Sequence, residues 1–527
     1  MSELPQGWAS AELGEIRLDK LGAVNPLRAP DQTFELYSVP AFPSGQPEIV
    51  AGKTIGSSKQ TVSPGTVLVC KINPRINRAW VVGNFSEFPK LASTEWIAFP
   101  PIDGIEARYL SYFFRQDRFR DFLAANVSGV GGSLMRVRRI AIDSFPIVIP
   151  PTREQARISA KLDELLSDLD AGIAALERAR ANLKRYRAAV LKAAVEGRLT
   201  EKWRAAHLDV EPAGKLLERI LAERRRKWEE AQLKKFAEKK QAPPKGWKEN
   251  YSEPVNPEVE ALARLPSGWA WVRAEQICGF ITKGTTPSAS LLTSALGQVP
   301  FIKVYNLTNR GVLDFSVDPT FVSAETHTGF LGRSRVYPGD VLMNIVGPPL
   351  GKVSIVSEEH PEWNINQAIA IFRPVSGVDK RYLALCLLTD VVLDWAVARG
   401  KATAGQTNLT LEICRDLPIP FPPLDEQIAI ADEVSRLVSI VEVQHQAIGV
   451  ASARASRLRQ AILKRAFEGK LVPQDPKDEP ASELLARIRA SRGSGRAVGT
   501  SPARRLTRNA GTKGVVGARS GGKRFAK

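Results

Sequence analysis

Cysteine is scarce, and the four present (Cys70, Cys278, Cys386 and Cys414) stand far apart with no CxxC pair. That spacing excludes a disulfide framework and a cysteine-based zinc site. Histidine is as rare: His207, His327, His360 and His445 are scattered, with no HExxH pair. No apolar run approaches the roughly 18 to 20 residues that span a bilayer. The first residues lack the basic stretch and apolar core of a secretory signal, so a reduced, cytoplasmic protein is expected. Catalytic signatures are missing too. Gly52-Lys53-Thr54 follows Gly45 at the wrong distance for a phosphate-cradling loop. Gly347-Pro348-Pro349-Leu350 has neither the polar first residue nor the aromatic last one that holds a flipped base, and reads as a turn. No Ser/His/Asp or Cys/His grouping stands out, and no catalytic residue or metal ligand is assigned.

Positive charge is what the chain has in excess: 74 Lys and Arg against 56 Asp and Glu, a formal net charge of +18 over 527 residues. A polyanionic partner is expected, nucleic acid above all. Apolar residues at 43% and charged residues at 25% are those of a globular protein, and the length calls for at least two domains. The surplus is unevenly placed. Residues 1–150 carry 16 bases and 14 acids, and residues 266–420 carry 13 of each. Residues 222–248 hold ten bases and four acids. Residues 491–527 hold ten bases (Arg492, Arg496, Arg504, Arg505, Arg508, Lys513, Arg519, Lys523, Arg524 and Lys527) and no acid. That last Gly/Ser/Arg-rich segment has no core to bury and is expected to be disordered. Both basic segments suit sequence-independent attraction to a phosphate backbone.

The chain is also written twice. Leu4-Pro5-Gln6-Gly7-Trp8 returns as Leu265-Pro266-Ser267-Gly268-Trp269, and Pro64-Gly65-Thr66-Val67-Leu68 as Pro338-Gly339-Asp340-Val341-Leu342. Tyr109-Leu110 matches Tyr382-Leu383, and Pro150-Pro151-Thr152-Arg153-Glu154-Gln155 matches Pro422-Pro423-Leu424-Asp425-Glu426-Gln427. Glu196-Gly197-Arg198-Leu199 returns as Glu468-Gly469-Lys470-Leu471, and Ala213 to Ile220 as Ala481 to Ile488. Between these anchors the copies diverge.

Each copy reads as a mixed α/β body. Short β runs (Val67-Leu68-Val69, Val341-Leu342-Met343) follow Pro-Gly turns, and a helical stretch runs from Tyr109 to about Ala125 and from Tyr382 to about Ala398. A Gly-rich loop and a Pro-rich exit close each body. A long helix follows. Leu162, Leu169, Leu176, Leu183 and Val190 recur every seven residues, with Ile158, Leu165 and Ile173 in the alternate seam. The second helix keeps that register with Val434, Val441, Ile448, Ala455 and Ile462, plus Ile430 and Leu437. Such spacing is a coiled-coil seam, in which His445 replaces an apolar residue and is read as a packing or register feature. Thr152 with Glu154-Gln155 behind it reads as a capping box, and Gly197 and Gly469 as C-terminal stops.

Specific reading of nucleic acid must rest on local clusters. Residues 49–86 hold Lys53, Lys59, Lys71, Arg75 and Arg78 without an acid. Within them Asn73 and Asn77 alternate with the arginines, and Asn and Arg can read adenine and guanine edges respectively. Ser133, Arg136 and Arg138 lie in and after the first Gly-rich loop, with Arg139 beside them and no acid nearby in sequence. In the second copy Lys303, Asn306, Asn309 and Arg310, then Lys401, Thr403, Gln406 and Asn408, are taken as the corresponding clusters.

In this order and spacing the anchors resemble the specificity (S) subunits of type I restriction–modification systems, over residues 1 to about 490. The resemblance implies an α+β chain: two globular mixed α/β target recognition domains joined by two long antiparallel helices forming a coiled coil, a pseudo-twofold tandem repeat. The segments it implies are a first recognition domain (1–150), first spacer helix (151–198), helical basic linker (199–264), second recognition domain (265–422), second spacer helix (423–472), and a short helix with a disordered Arg-rich tail (473–527). It implies a non-catalytic DNA-recognition subunit in which each domain reads half of a bipartite target. The helices would set the spacer and dock methyltransferase subunits. The implied partners are double-stranded DNA, two methylation subunits and restriction subunits. S-adenosylmethionine, ATP and Mg are expected on those partners, with no cofactor held here. Two alternatives stay open: a specificity subunit of an orphan methylation system without a nuclease, and a self-sufficient DNA-modifying enzyme with unrecognised motifs. Pro244-Lys245-Gly246-Trp247 and the Arg-rich tail fall outside the resemblance.

Overall fold

The computed structural model describes residues 4–17, 21–128, 135–258, 260, 262–294, 298–403 and 406–496. The chain forms two compact units, one of residues up to 173 with those from 453 onward, the other of residues 174–452. The unit boundaries fall inside the long helices.

In unit 1 the body opens with the strand Ala9–Glu12, which pairs antiparallel with the exit strand Pro146–Ile149. In unit 2 Ala270–Arg273 pairs in the same way with Pro418–Phe421. Entry and exit of each body therefore lie side by side. Between them the two copies repeat one set of pairings. Val67–Cys70 lies between Ala79–Val81 and Trp96–Phe99, all antiparallel. Val341–Asn344 likewise lies between Val353–Ile355 and Ile369–Pro374. Thr33–Tyr37 runs parallel to Lys90–Ser93, as Val299–Ile302 does to Trp363–Ile365.

The local causes are plain in the sequence. Val67–Cys70 and Val341–Asn344 are buried at every position, as strands covered on both faces must be. Each starts from a Pro-Gly turn whose glycine sits at positive φ, +83° at Gly65 and +90° at Gly339. The expected single helical stretch is instead two helices in each body: Ala107–Phe114 and Asp117–Ala125, then Lys380–Leu387 and Asp390–Arg399. In both, an acidic side chain preceding the first helix (Glu106, Asp379) accepts from its backbone N–H groups.

The long helices span Thr152–Val195 and Leu424–Phe467, 44 residues each, or about 65 Å. Gly197 and Gly469 stop them at φ +71° and +69°. Of the seam residues, Leu162, Val190, Val434, Val441 and Ile448 are buried, while Leu169, Leu176, Leu183 and Ile462 are half-buried. Ile158, Leu162 and Leu166 share the unit 1 core with Leu463, Ala466 and Phe467. Val190, Leu191 and Ala194 share the unit 2 core with Ile430 and Val434. In each unit the start of one helix meets the end of the other, so they run antiparallel. His445 is exposed and packs no seam, correcting the expectation.

The capping box at Thr152 does not form either. Its hydroxyl donates to the Gly104 carbonyl (3.0 Å), and Gln155 Nε2 donates to the carbonyls of Gly104 and Pro150 while its Oε1 accepts from Glu106 N–H. Gln427 repeats the two outer bonds, to Pro422 and Asp379. These side chains join helix to body because the body offers partners of the right polarity, which local sequence does not reveal.

The helix Ala213–Glu238 sends Ala213, Leu216 and Ile220 into the unit 2 core, and Ala481–Arg496 sends Ala481, Leu484 and Ile488 into the unit 1 core. The second helix reaches six residues into the segment expected to be disordered; the rest of that tail lies outside the described residues. Pro244-Lys245-Gly246-Trp247 now has an explanation. It repeats the turn of the two body-opening motifs, with Gly246 at φ +79° beside +78° at Gly7 and +85° at Gly268. Its Trp247 stacks on Trp228 of the preceding helix (5.9 Å between rings) with Phe236 at its edge and Tyr251 against Trp228. The chain leaving that helix is thereby folded back along it.

Candidate nucleic-acid interface

In unit 1, residues 71–78 connect Val67–Cys70 to Ala79–Val81 and turn at Asn73, whose φ is +48°. Asn tolerates this left-handed conformation better than most residues. Asn73 N–H donates to Met135 O, and Val137 N–H to Lys71 O, both at 3.0 Å. Two basic clusters far apart in sequence thus share one edge. Arg75 and Arg138 are exposed there, Lys71, Asn73 and Arg78 half-exposed. Among the described residues the Arg78 guanidinium reaches only Cys70 Sγ, at 3.9 Å, and burial pushes the Cys70 thiol up.

Other assignments change on inspection. Arg136 forks onto Glu95 at 3.0 and 3.1 Å, an acid brought from far away in sequence by the fold, and Arg139 lies 3.9 Å from Asp143, one turn on in the same short helix. Lys59 is buried. It donates to Ser57 O (2.9 Å) and Oγ (2.6 Å), and burial lowers its pKa, so it is not a surface cation. It lines an open cavity of 640 Å³ with Leu36, Val50, Ile72 and Glu95, beside the same edge. Asn77 Nδ2 donates to Phe114 O (2.6 Å), tying the turn to a helix end rather than facing outward. Ser133 lies outside the described residues.

In unit 2 the strand Val346–Gly347 pairs with Gln406–Asn408, which pairs with Lys401–Thr403. Backbone positions of Lys401, Thr403, Gln406 and Asn408 therefore share one small sheet; the side chains of the first three lie outside the description. Asn408 Oδ1 is buried without a hydrogen-bond partner among the described residues. The neighbour of this hairpin is the Gly347-Pro348-Pro349-Leu350 turn, held by Asn344. Its Nδ2 donates to Pro349 O (2.7 Å) and its Oδ1 accepts from Lys352 N–H (2.7 Å).

That placement corrects the assignment between copies. The turn after the central strand is 71–78 in unit 1 and 345–352 in unit 2, so Lys303, Asn306, Asn309 and Arg310 do not correspond to the first cluster. Asn306 is buried and donates to Asp314 O and Val317 O, shaping its own loop. Lys303 faces Asp318 at 3.5 Å and lies over the Tyr305 ring. Arg310 pairs with Glu442 (3.1 Å) and the Asn309 carbonyl accepts from Arg187, both partners on the long helices. Lys352 is the basic residue missed. The shift between the two Pro-Gly anchors, applied to residues 71–78, would have led to its turn.

Among the described residues, no group of three or more His, Cys, Asp or Glu is placed to hold a metal ion. No helix among them is long and apolar enough to cross a membrane. A family model described as the type I restriction modification DNA specificity domain matches residues 266–449. The EcoDI specificity subunit of Escherichia coli is 24% identical over 377 residues, 69% of this chain and 73% of that protein. The EcoKI specificity subunit of Escherichia coli strain K12 is 22% identical over 517 residues, 93% and 96% of the two chains. A solved chain, from work on complex assembly and conformational transition of the type I R-M system, has the same fold. It is 20% identical with a TM-score of 0.63, covering 89% of this chain and 100% of that one. With two bodies built on one plan, each opened and closed by the same anchors, and with residues 266–449 matching the specificity-domain model, the chain is similar to the DNA specificity subunits of type I restriction–modification systems.

Proposed function

We propose that each body reads one half of a bipartite duplex target through the turn after its central strand and the adjoining hairpin. In unit 1 these are residues 71–78 and the strand Arg136–Val137; in unit 2 they are residues 345–352 and the hairpin Lys401–Asn408. The observation that carries this reading is that the copies keep their anchors and pairings while this edge, which gathers exposed cations in unit 1, is rewritten along with the rest of the sequence between the anchors. Exposed Arg75 and Arg138 supply cations at the unit 1 edge, and Arg can bind guanine edges or phosphates. Half-sites one DNA turn apart lie roughly 34 Å from each other, within the reach of helices about 65 Å long.

The helices also dock the methylation subunits. Ile440, Val443 and Val450 form an apolar stripe on the second long helix, 46%, 66% and 68% exposed, of the kind that marks a protein interface. S-adenosylmethionine, ATP and Mg belong to partner subunits, methylation and restriction, acting with this one in the cytoplasm. Methylome sequencing with the gene intact and deleted tests the reading. Deletion is expected to erase one bipartite modified-adenine motif; an unchanged methylome in an active system overturns it.

A further inference from the structure

The helix Ala213–Glu238 is charged along its whole length, but its two halves differ in what their cations meet. In the proximal half almost every base has a partner. Arg219 pairs with Glu211 (2.8 Å), Arg225 with Glu253 (3.0 Å), Arg226 with Glu223 and Glu230, and Lys227 with Glu223. Arg224 donates to the carbonyls of Glu275 and Cys278, fixing this half to the body. The distal half and its return strand are different. Lys234, Lys235, Lys239, Lys240 and Lys245 are all exposed, and none has an ion-pair partner among the described residues. Residues 232–248 hold six lysines against one glutamate.

This end is also built to stay in place. Lys240, the residue after the C-cap Lys239, turns the chain at φ +53°, a conformation usually left to glycine, with Gln241 N–H donating to Phe236 O. The Trp228, Phe236, Trp247 and Tyr251 cluster and the Lys248–Glu229 pair (2.8 Å) hold the return strand against the helix. The lysines are thus displayed on a folded hairpin. The other copy carries a second basic segment at the corresponding place, since residues 491–527 also begin as their packing helix ends and hold ten bases without an acid.

We propose that this hairpin is a phosphate-binding arm that grips duplex DNA independently of sequence, outside the bases being read. The proposal rests on the DNA-recognition reading above and adds a surface to it. Two features select DNA over an acidic protein. Among the five lysines the one large apolar side chain exposed is Leu233, so the face lacks the apolar centre of a protein interface. The recognition bodies are nearly neutral, so the electrostatic share of duplex affinity has to come from elsewhere in the chain.

The test replaces Lys234, Lys235, Lys239, Lys240 and Lys245 with Gln in the full chain assembled with its methylation subunits. Binding to duplexes with and without the target motif is then measured from 50 to 200 mM salt. The slope of log affinity against log salt is expected to become shallower by about 0.9 for each lysine that meets a phosphate. Target and non-target affinities should fall by the same factor, leaving their ratio and the methylated motif unchanged. An unchanged slope, with target binding intact, overturns the arm and leaves the recognition reading standing. A changed target-to-non-target ratio, or loss of a methylation subunit from the complex on gel filtration, overturns it as well. If the unmodified complex itself shows no preference for the target, the recognition reading is what fails.

Discussion

Two carboxylates occupy equivalent places in the two units and live in different company. Glu154 Oε2 accepts from the Trp8 indole (3.1 Å), and its other oxygen is buried without a partner among the described residues. Glu426 accepts from the Trp269 indole (2.8 Å) and the Thr200 hydroxyl (2.7 Å), and lies 3.3 Å from Arg204. The cause is in the sequence: applying the shift of the Glu-Gly-Arg/Lys-Leu anchor, Val472 and Pro476 stand where Thr200 and Arg204 do. What survives in both copies is the Trp–Glu bond pinning the body's entry to the helix's start. The surrounding shell was free to change. One substitution made at both places should break the likeness. Glu426→Gln leaves Arg204 facing a neutral group and is expected to cost unit 2 about 3 kcal/mol. Glu154→Gln keeps an acceptor for Trp8 and removes a carboxylate that burial pushes up, so unit 1 should change by less than about 0.5 kcal/mol. Hydrogen exchange of the entry strands measures both; equal losses would erase the distinction.

The parallel strand pairs differ inside as well. In unit 1 Glu35 is opposite Lys90, both buried, with carboxylate and ammonium 3.4 Å apart. In unit 2 the pair is Phe301 and Asn364, and Asn364 Oδ1 meets His327 Nδ1 at 2.6 Å. Burial pushes the Glu35 carboxyl up, but hydrogen bonds from Ser86 and Tyr37 and the nearby Lys90 hold it below its ordinary value of 4.5. A lowered folded value means the folded unit favours the carboxylate. That contribution is whole above pH 4.5 and is lost as pH falls through the lowered value. Exchange of Thr33–Tyr37 and Lys90–Ser93 should therefore accelerate in acid, and Glu35→Gln should flatten that dependence. At neutral pH Lys90→Met, which strands Glu35, is expected to cost about 2 kcal/mol. An acid response that survives Glu35→Gln would assign it to another group.

The frame was legible in the sequence because it is built from short-range rules: Pro-Gly turns at positive φ, glycine stops after a heptad pattern, and anchors repeated in order. Functional edges were less legible. Arg136 looked free of acids because Glu95 arrives on the turn between Lys90–Ser93 and Trp96–Phe99, and Lys59 looked like a surface cation because its burial depends on the sheet around it. The mismatch between 71–78 and 303–310 came from matching composition rather than the anchor shift. Residues 303–310 are polar because they shape a loop and meet the long helices, demands unrelated to nucleic acid.

The smallest expected difference is also the sharpest check on the shared frame. A Cβ on Gly197 would sit 2.6 Å from Pro266 Cγ, and one on Gly469 2.5 Å from Pro5 Cγ, each proline opening a body in the glycine's own unit. Both glycines are at positive φ, so Ala is strained there even before the prolines are met. Gly197→Ala and Gly469→Ala should therefore each cost about 1 to 2 kcal/mol, the sum of a left-handed backbone penalty and a crowded proline. The two costs should agree to within about 0.5 kcal/mol, since the two glycines share φ to within a few degrees and meet their prolines at nearly the same distance. Exchange protection of Ala9–Glu12 against Ala270–Arg273 reads each loss in its own unit. Where the frame is held by backbone shape and contact, the copies must respond alike; unequal losses would show that one helix end is held by something the repeat does not share.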